Sequence, residues 1–156
     1  MSRLDLWEDR FAALIDAAEK REFHYGNFDC VLFACDVIEA LTGQDPAKDH
    51  RGKYSGEEEA KNMLLGLVAS KAPGATGLYG EGGALEKLAD DFARSRGYEE
   101  IGRMFAQRGD IALGDVGGMK GLGACVGRQF VFLNPAGGLV RVPLSAPMIL
   151  TVWRIC

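Results

Sequence analysis

The chain has 156 residues, 47% of them hydrophobic, and a formal net charge of −4. This length can bury one hydrophobic core but is short for two, so we expect a single domain over residues 1–156. The acidic balance and the scattered Lys and Arg residues argue against nucleic acid as a partner, because phosphate binding needs clustered basic side chains.

The apolar pattern and the cysteines exclude further classes. No apolar run reaches the roughly 18–20 residues of a membrane-spanning helix, and the first twenty residues mix acids with apolar positions, unlike a secretory signal. The four cysteines show no CxxC spacing, so we expect neither a metal site nor a cofactor. They are Cys30, Cys35, Cys125 and Cys156, and we expect Cys35 and Cys125 to be reduced and buried.

The first two predicted helices follow from apolar residues at helical spacing. In the first, acidic residues separate the apolar positions, and we expect Ser2 to be its N-cap. The apolar positions are Leu4, Trp7, Phe11, Leu14, Ile15 and Ala18. The second helix is predicted to begin at or just after Asp29 and to end at Gly43. Its buried face is predicted to contain Phe33, Val37, Ile38 and Leu41.

Two more helices are predicted before the chain changes character. Ser55 and Glu58 have the spacing of a capping box at the start of SGEEEAKNMLLGLVASK. The apolar stripe of this third helix is Met63, Leu64, Leu67 and Val68. A glycine-rich break over residues 72–83 precedes a fourth helix, ALEKLADDFARSRG, with Gly97 as its expected end. Its inward side chains are predicted to be Leu85, Leu88 and Phe92.

After about Tyr98 the helical period gives way to short strands. These segments are rich in Val, Ile, Leu and Phe and are separated by Gly, Asn or Pro. They are GDIALGDV, GACVG, RQFVFL, GLVRVPL and ILTVWRI. We therefore predict an α+β fold with a helical part over about 1–97 and a meander of antiparallel strands over about 98–156. The glycines of LGDVGGMKGLGACVG lack the context of a phosphate-binding loop and predict a turn.

Cys30 is the candidate nucleophile of this chain. It is predicted to lie in the first turn of a helix, where unpaired N–H groups and the helix dipole lower the pKa of a thiol. Asp29 can cap the same helix, although its charge opposes formation of the thiolate. The plain alternative is that Asp29 only caps and Cys30 only packs.

Residues 23–33, FHYGNFDCVLF, resemble the nucleophile segment of the NlpC family of papain-like cell-wall cysteine peptidases. In that family an aromatic residue and glycine precede an Asp-Cys pair that opens a helix. Tyr25, Gly26, Asp29 and Cys30 match this pattern, whereas Val31-Leu32 replaces the usual Ser-Gly. The resemblance implies a papain-like α+β fold, with amino-terminal helices followed by an antiparallel, barrel-like sheet.

Two later segments extend the resemblance in the same order along the chain. RGDIAL, residues 108–113, is similar to the strand that opens the family's β half, and residues 121–144 are similar to its histidine-bearing strands. The family's catalytic histidine falls on Gly121, which cannot act as a base. Its third polar group falls near Asn134, which would orient an imidazole.

The missing histidine leaves two hypotheses open. In the first, the site is degenerate, Cys30 is packed, and Tyr25 and Asp29 shape a vestigial cleft. In the second, the protein is an active peptidoglycan endopeptidase or amidase with Cys30 as nucleophile and His24 as a relocated base. His50 would need the chain to fold back to reach the thiol.

The chain as a whole resembles the small NlpC-like proteins encoded among the tail genes of bacteriophages and gene-transfer particles. This resemblance implies a tail-tip component in the virion, made in the host cytoplasm, with other tail proteins (hub or tip) as partners and peptidoglycan as a further one. A bacterial housekeeping or immunity-type protein is a third hypothesis. Under the family assignment, the Cys30 sulfur should lie near Tyr25 and the strand that contains residues 121–124.

Overall fold

The computed structural model describes residues 2–69 and 83–156, with the side chains of Val68 and Ala69 outside the description. Four α-helices come first in the chain and are followed by strands. The helices are α1 (Trp7–Lys20), α2 (Cys30–Thr42), α3 (Glu57–Ala69) and α4 (Ala84–Ser95). The predicted glycine-rich break over 72–83 lies outside the described residues except for its last position, and so does the predicted side chain of Val68.

Six strands form one antiparallel sheet with the order β1-β6-β2-β3-β4-β5. They are β1 (Glu99–Ile101), β2 (Ile111–Val116), β3 (Met119–Cys125), β4 (Gln129–Leu133), β5 (Leu139–Pro143) and β6 (Ile149–Arg154). A short 3₁₀ helix, Arg103–Phe105, connects β1 to β2. The helices-then-strands order confirms the α+β class.

The sheet differs from the expected meander and from a closed barrel. Strands β2 to β5 are sequential neighbours, but β6 returns to pair with β2 on its other side. The three-residue strand β1, which the sequence pattern did not predict, pairs only with β6. Among the described strands, β1 and β5 are edges that do not pair with each other, so the sheet is open.

Helix α2 has the ends that its sequence predicts. The Asp29 carboxylate accepts a hydrogen bond from the Leu32 N–H at 2.9 Å, and Gly43 ends the helix with φ +78°. The predicted cap of α1 is wrong: Leu6, at φ 59°, precedes that helix and Ser2 lies further back. The capping box of α3 also differs, because the Ser55 N–H donates to Glu59 instead of Glu58.

The two faces of the sheet bury separate apolar clusters, and this division orients β3. Leu122 and Ala124 belong to the larger cluster, which the sheet shares with α1, α2 and α4. Cys125 belongs to the smaller cluster on the opposite face. Because side chains alternate along a strand, Gly121 and Gly123 lie on the face of Cys125, away from α2.

The RGDIAL segment has a structural role at the start of β2. Asp110 is fully buried and pairs with Arg3 at 3.2 Å and with Arg154 at 3.4 Å. The Arg3 guanidinium also donates to the backbone oxygens of Arg108 and Ile155. This charged cluster fastens the amino-terminal segment to the sheet, and a buried carboxylate of this kind is stabilised by such paired cations.

Candidate active site around Cys30

Cys30 lies where the sequence places it, at the first position of α2. Its thiol is partly buried beside the backbone amide of Leu122 in β3. Tyr25, Cys30 and Leu122 line one cavity of about 400 Å³. The expected grouping of the thiol, Tyr25 and the strand that contains residues 121–124 is therefore present.

The electrostatics of Cys30 differ from the sequence-based expectation. Burial raises the pKa of the thiol from its ordinary value near 9 to about 11, and the Asp29 charge adds to this rise. The backbone amides of Leu122, Val31 and Cys30 itself favour the thiolate but do not outweigh burial. The predicted lowering of the pKa by the helix terminus is thus overturned, and the group is a neutral thiol near pH 7.

We predict that iodoacetamide alkylates Cys30 at pH 7 about tenfold more slowly than free cysteine. Raising the pKa by two units, from near 9 to about 11, lowers the thiolate fraction about 100-fold, and the higher nucleophilicity of the more basic thiolate offsets about tenfold of that. Peptide mapping by mass spectrometry would give the rate at Cys30. The rate should keep rising with pH until about 11, whereas a plateau below pH 8 would contradict this assignment.

Asp29 is a buried structural hub as well as a helix cap. It is 4% exposed and accepts hydrogen bonds from three donors. One carboxylate oxygen accepts from the Leu32 N–H, and the other accepts from the Gly26 N–H at 3.0 Å and from the Tyr54 hydroxyl at 2.5 Å. Burial and the hydrogen bond to Asp29 raise the pKa of Tyr54, so its hydroxyl remains a donor.

The loop that precedes Cys30 is held by a second segment, residues 45–54, which folds back against it. The Gly52 N–H donates to the Gly26 oxygen at 2.9 Å. Together with the hydrogen bond from Tyr54 to Asp29, this makes two hydrogen bonds between the segments. Gly26 has φ +88°, and a Cβ there would lie 1.8 Å from the Tyr54 carbonyl oxygen. Only glycine fits this close approach. The sequence pattern did not reveal the role of Tyr54.

The two histidines lie in different places from those the sequence suggested. His24 is exposed, its Nδ1 lies 2.8 Å from the backbone oxygen of Tyr25, and it does not line the cavity that contains Cys30. His50 does line that cavity, because the 45–54 segment returns to the Cys30 loop. Of the two histidines, His50 is therefore the one that lines the same cavity as the Cys30 thiol.

The other two predicted site positions are not brought to Cys30. Gly121 pairs with Gly114 of β2 and lies on the face opposite α2, so a histidine there would point away from the thiol. Leu122 is the β3 residue that meets Cys30. Asn134 lies in the β4–β5 turn, where its side-chain oxygen accepts a hydrogen bond from the Ala136 N–H at 3.0 Å. It shapes this turn and is not on the cavity wall.

The described residues contain neither a metal cluster nor a membrane span. Across 2–69 and 83–156, no three His, Cys, Asp or Glu side chains are grouped to hold an ion. No helix in the same part of the chain is both long and apolar enough to cross a bilayer. The chemistry that this site offers is therefore that of two thiols, three tyrosines and one imidazole around an apolar cavity.

Comparison with known proteins assigns the chain to a family. A family model described as domain of unknown function (DUF6950) matches residues 2–155, so the chain belongs to this family. No curated protein matches the sequence.

Proposed function

We propose that this member of the DUF6950 family is a structural component of a bacteriophage or gene-transfer-particle tail tip. It would keep a papain-like, NlpC-type fold with a degenerate active site and act in tail assembly or in contact with the cell wall. The proposed absence of peptidase activity rests on one observation: Leu122, an aliphatic residue, lies where β3 meets Cys30.

A cysteine peptidase needs a base within hydrogen-bond reach of its thiol. Leu122 cannot accept a proton, and the oxygens of Asp29 are already bound to Gly26, Leu32 and Tyr54. The neutral state of Cys30 follows from the same surroundings. Under this proposal Tyr25 and Asp29 form a vestigial cleft that stabilises the start of α2.

The assignment to a tail rests on the resemblance of the whole chain to small tail-encoded NlpC-like proteins, and the NlpC-type fold rests on the resemblance of three segments in their order along the chain. They are the nucleophile-like loop, RGDIAL and the strands over residues 121–144. The proposed partners are other proteins of the tail hub or tip, with peptidoglycan as a surface that the tip contacts. The proposed location is the virion tail. Mass spectrometry of particles purified from the host that carries the gene would find the protein if this is right, and would lack it if the protein has a bacterial housekeeping role.

A second function, an active peptidoglycan endopeptidase or amidase, is favoured by one observation. His50 lines the same cavity as Cys30. In this alternative the Cys30 sulfur attacks the amide carbonyl, His50 accepts the thiol proton, and the backbone amides at the start of α2 hold the oxyanion. His50 then gives the proton to the amine as the C–N bond breaks, and water hydrolyses the thioester to release the carboxylate and the Cys30 thiol. His50 replaces His24 as the candidate base, because His24 is outside the cavity.

We expect no hydrolysis of purified peptidoglycan by the wild-type protein, with muropeptides resolved by mass spectrometry. Cys30→Ala and His50→Ala are the informative variants, and His24→Ala is the matched control because its imidazole is solvent-exposed. Cleavage by the wild type that is lost in Cys30→Ala and His50→Ala, but retained in His24→Ala, would replace the first proposal with the second.

A further inference from the structure

The cavity beside Cys30 extends well beyond a peptidase-like cleft. It runs between α2, α3, α4 and the inner face of the sheet. Most of its wall is aliphatic or aromatic, including Ile38, Leu64, Leu85, Leu88, Phe92 and Leu122. Most of these residues come from outside the loop and strand that surround the thiol, so the same cavity continues from the cleft into a larger apolar space.

The size and chemistry of this space suit a small apolar body. A volume of about 400 Å³ holds roughly a dozen non-hydrogen atoms at about 30 Å³ each, the share that a water molecule takes in the liquid. Ligand pockets in proteins span about 300–1,000 Å³ and are mostly apolar with a few polar groups. Three donors already occupy most of the acceptor sites of the Asp29 carboxylate on the wall.

One cation on the wall has no anionic partner among residues 2–69 and 83–156. Arg96 is exposed at the end of α4, and its guanidinium lies over the Phe92 ring at 5.0 Å and donates to the Gln44 side-chain oxygen at 3.2 Å. Arg94, two residues earlier, forms an ion pair with Asp90 and does not line the cavity. Arg96 therefore presents a positive charge, oriented by an aromatic ring, next to an apolar space.

We propose that this cavity binds a monoanionic amphiphile, a free fatty acid of about ten carbons, with its tail among the apolar residues and its carboxylate at Arg96. A phospholipid does not fit, since the space holds only about a dozen atoms. The tail would lie against Leu85, Leu88 and Leu122, with the neutral thiols of Cys30 and Cys35 on the same wall. The site requires no chemistry at Cys30 and is independent of a role in a tail.

The first test is titration calorimetry with sodium decanoate on the full-length protein. We expect saturable binding of one decanoate per chain. Arg96→Gln should weaken decanoate binding about fivefold and leave binding of 1-decanol unchanged, since only the anion uses the guanidinium. Arg94→Gln is the matched control on the same helix and should bind decanoate like the wild type. Absence of saturable binding, or equal weakening by both variants, would overturn the proposal.

Thiol protection locates the ligand within the molecule. Cys30 and Cys35 line the cavity, whereas Cys156 is exposed and is not part of its wall. At pH 9, saturating decanoate should slow alkylation of Cys30 and Cys35 at least threefold and leave Cys156 unaffected. Ala89→Phe, which fills the cavity from α4, should abolish both binding and protection. Protein that binds decanoate without protecting the two thiols would place the ligand elsewhere and contradict the assignment.

Discussion

Replacing Asp29 with alanine is expected to lower the free energy of unfolding by about 4 kcal/mol. The change removes the cap of α2 and leaves the buried Gly26 N–H and Tyr54 hydroxyl without their acceptor. A lost cap costs about 1 kcal/mol, and each buried unsatisfied donor costs about 1–3 kcal/mol. Asp29 is almost completely buried, so water cannot replace the carboxylate without a rearrangement of the loop.

Urea denaturation followed by circular dichroism measures this loss, and Tyr54 supplies the matched comparison. Tyr54→Phe removes one donor but leaves Asp29 bound to Gly26 and Leu32, so it should cost only about 1 kcal/mol. The double variant should cost less than the sum of the two single variants, because no hydroxyl is left unpaired. A loss below about 1 kcal/mol for Asp29→Ala would show that the three buried hydrogen bonds of Asp29 contribute little to stability.

The sequence predicts α2 well because its signals are local. Asp29 before an apolar helix and Gly43 after it are signals that act within a few residues, and both have the predicted roles. The strands β2, β4 and β5 follow for the same reason, since their apolar runs are bounded by turn residues. The turn predicted for LGDVGGMKGLGACVG is wrong over most of its length, because β3 occupies Met119–Cys125 and only Gly117 and Gly118 form the turn. The first residue of α1 is harder to predict, because Leu6 before it adopts a left-handed conformation that is unusual for leucine.

The parts that the sequence does not reveal depend on contacts between distant segments. Tyr54 reaches Asp29 across 25 residues, and His50 reaches the cavity only because the 45–54 segment packs on the Cys30 loop. The pairing of β6 with β2 is likewise non-local. None of these contacts leaves a periodic or capping signal in the chain, and each arises from tertiary packing.

The face of Gly121 shows how strand alternation limits inference from a motif. Matching the catalytic histidine of the NlpC pattern to Gly121 gives a position along the chain but does not say on which face of the sheet the side chain lies. In the structure, Leu122 shares a cluster with Cys30, so the adjacent Gly121 lies on the other face. A shift of one residue reverses the direction of a side chain, and the β3 residue on the face toward the thiol is Leu122.

Placing a histidine at Leu122 is expected to activate Cys30. An imidazolium on the face of β3 that meets the thiol stabilises the thiolate and lowers the pKa of Cys30 from about 11. We expect iodoacetamide alkylation of Cys30 in Leu122→His at pH 7 to be at least about tenfold faster than in the wild type. Because Leu122 is 7% exposed, circular dichroism should first establish that the variant is folded.

Gly121→His is the control that separates the two positions. A Cβ at Gly121 meets no heavy atom within 4 Å, so the fold should accept the side chain, but its imidazole points away from α2. The alkylation rate of Cys30 should then equal that of the wild type. Faster alkylation in Gly121→His and not in Leu122→His would reverse the assignment and make Gly121 the position that faces the thiol. A faster alkylation rate confined to Leu122→His would mean that the Cys30 thiol is positioned to react at the helix terminus. It would also mean that the aliphatic side chain of Leu122 is what keeps the thiol unreactive.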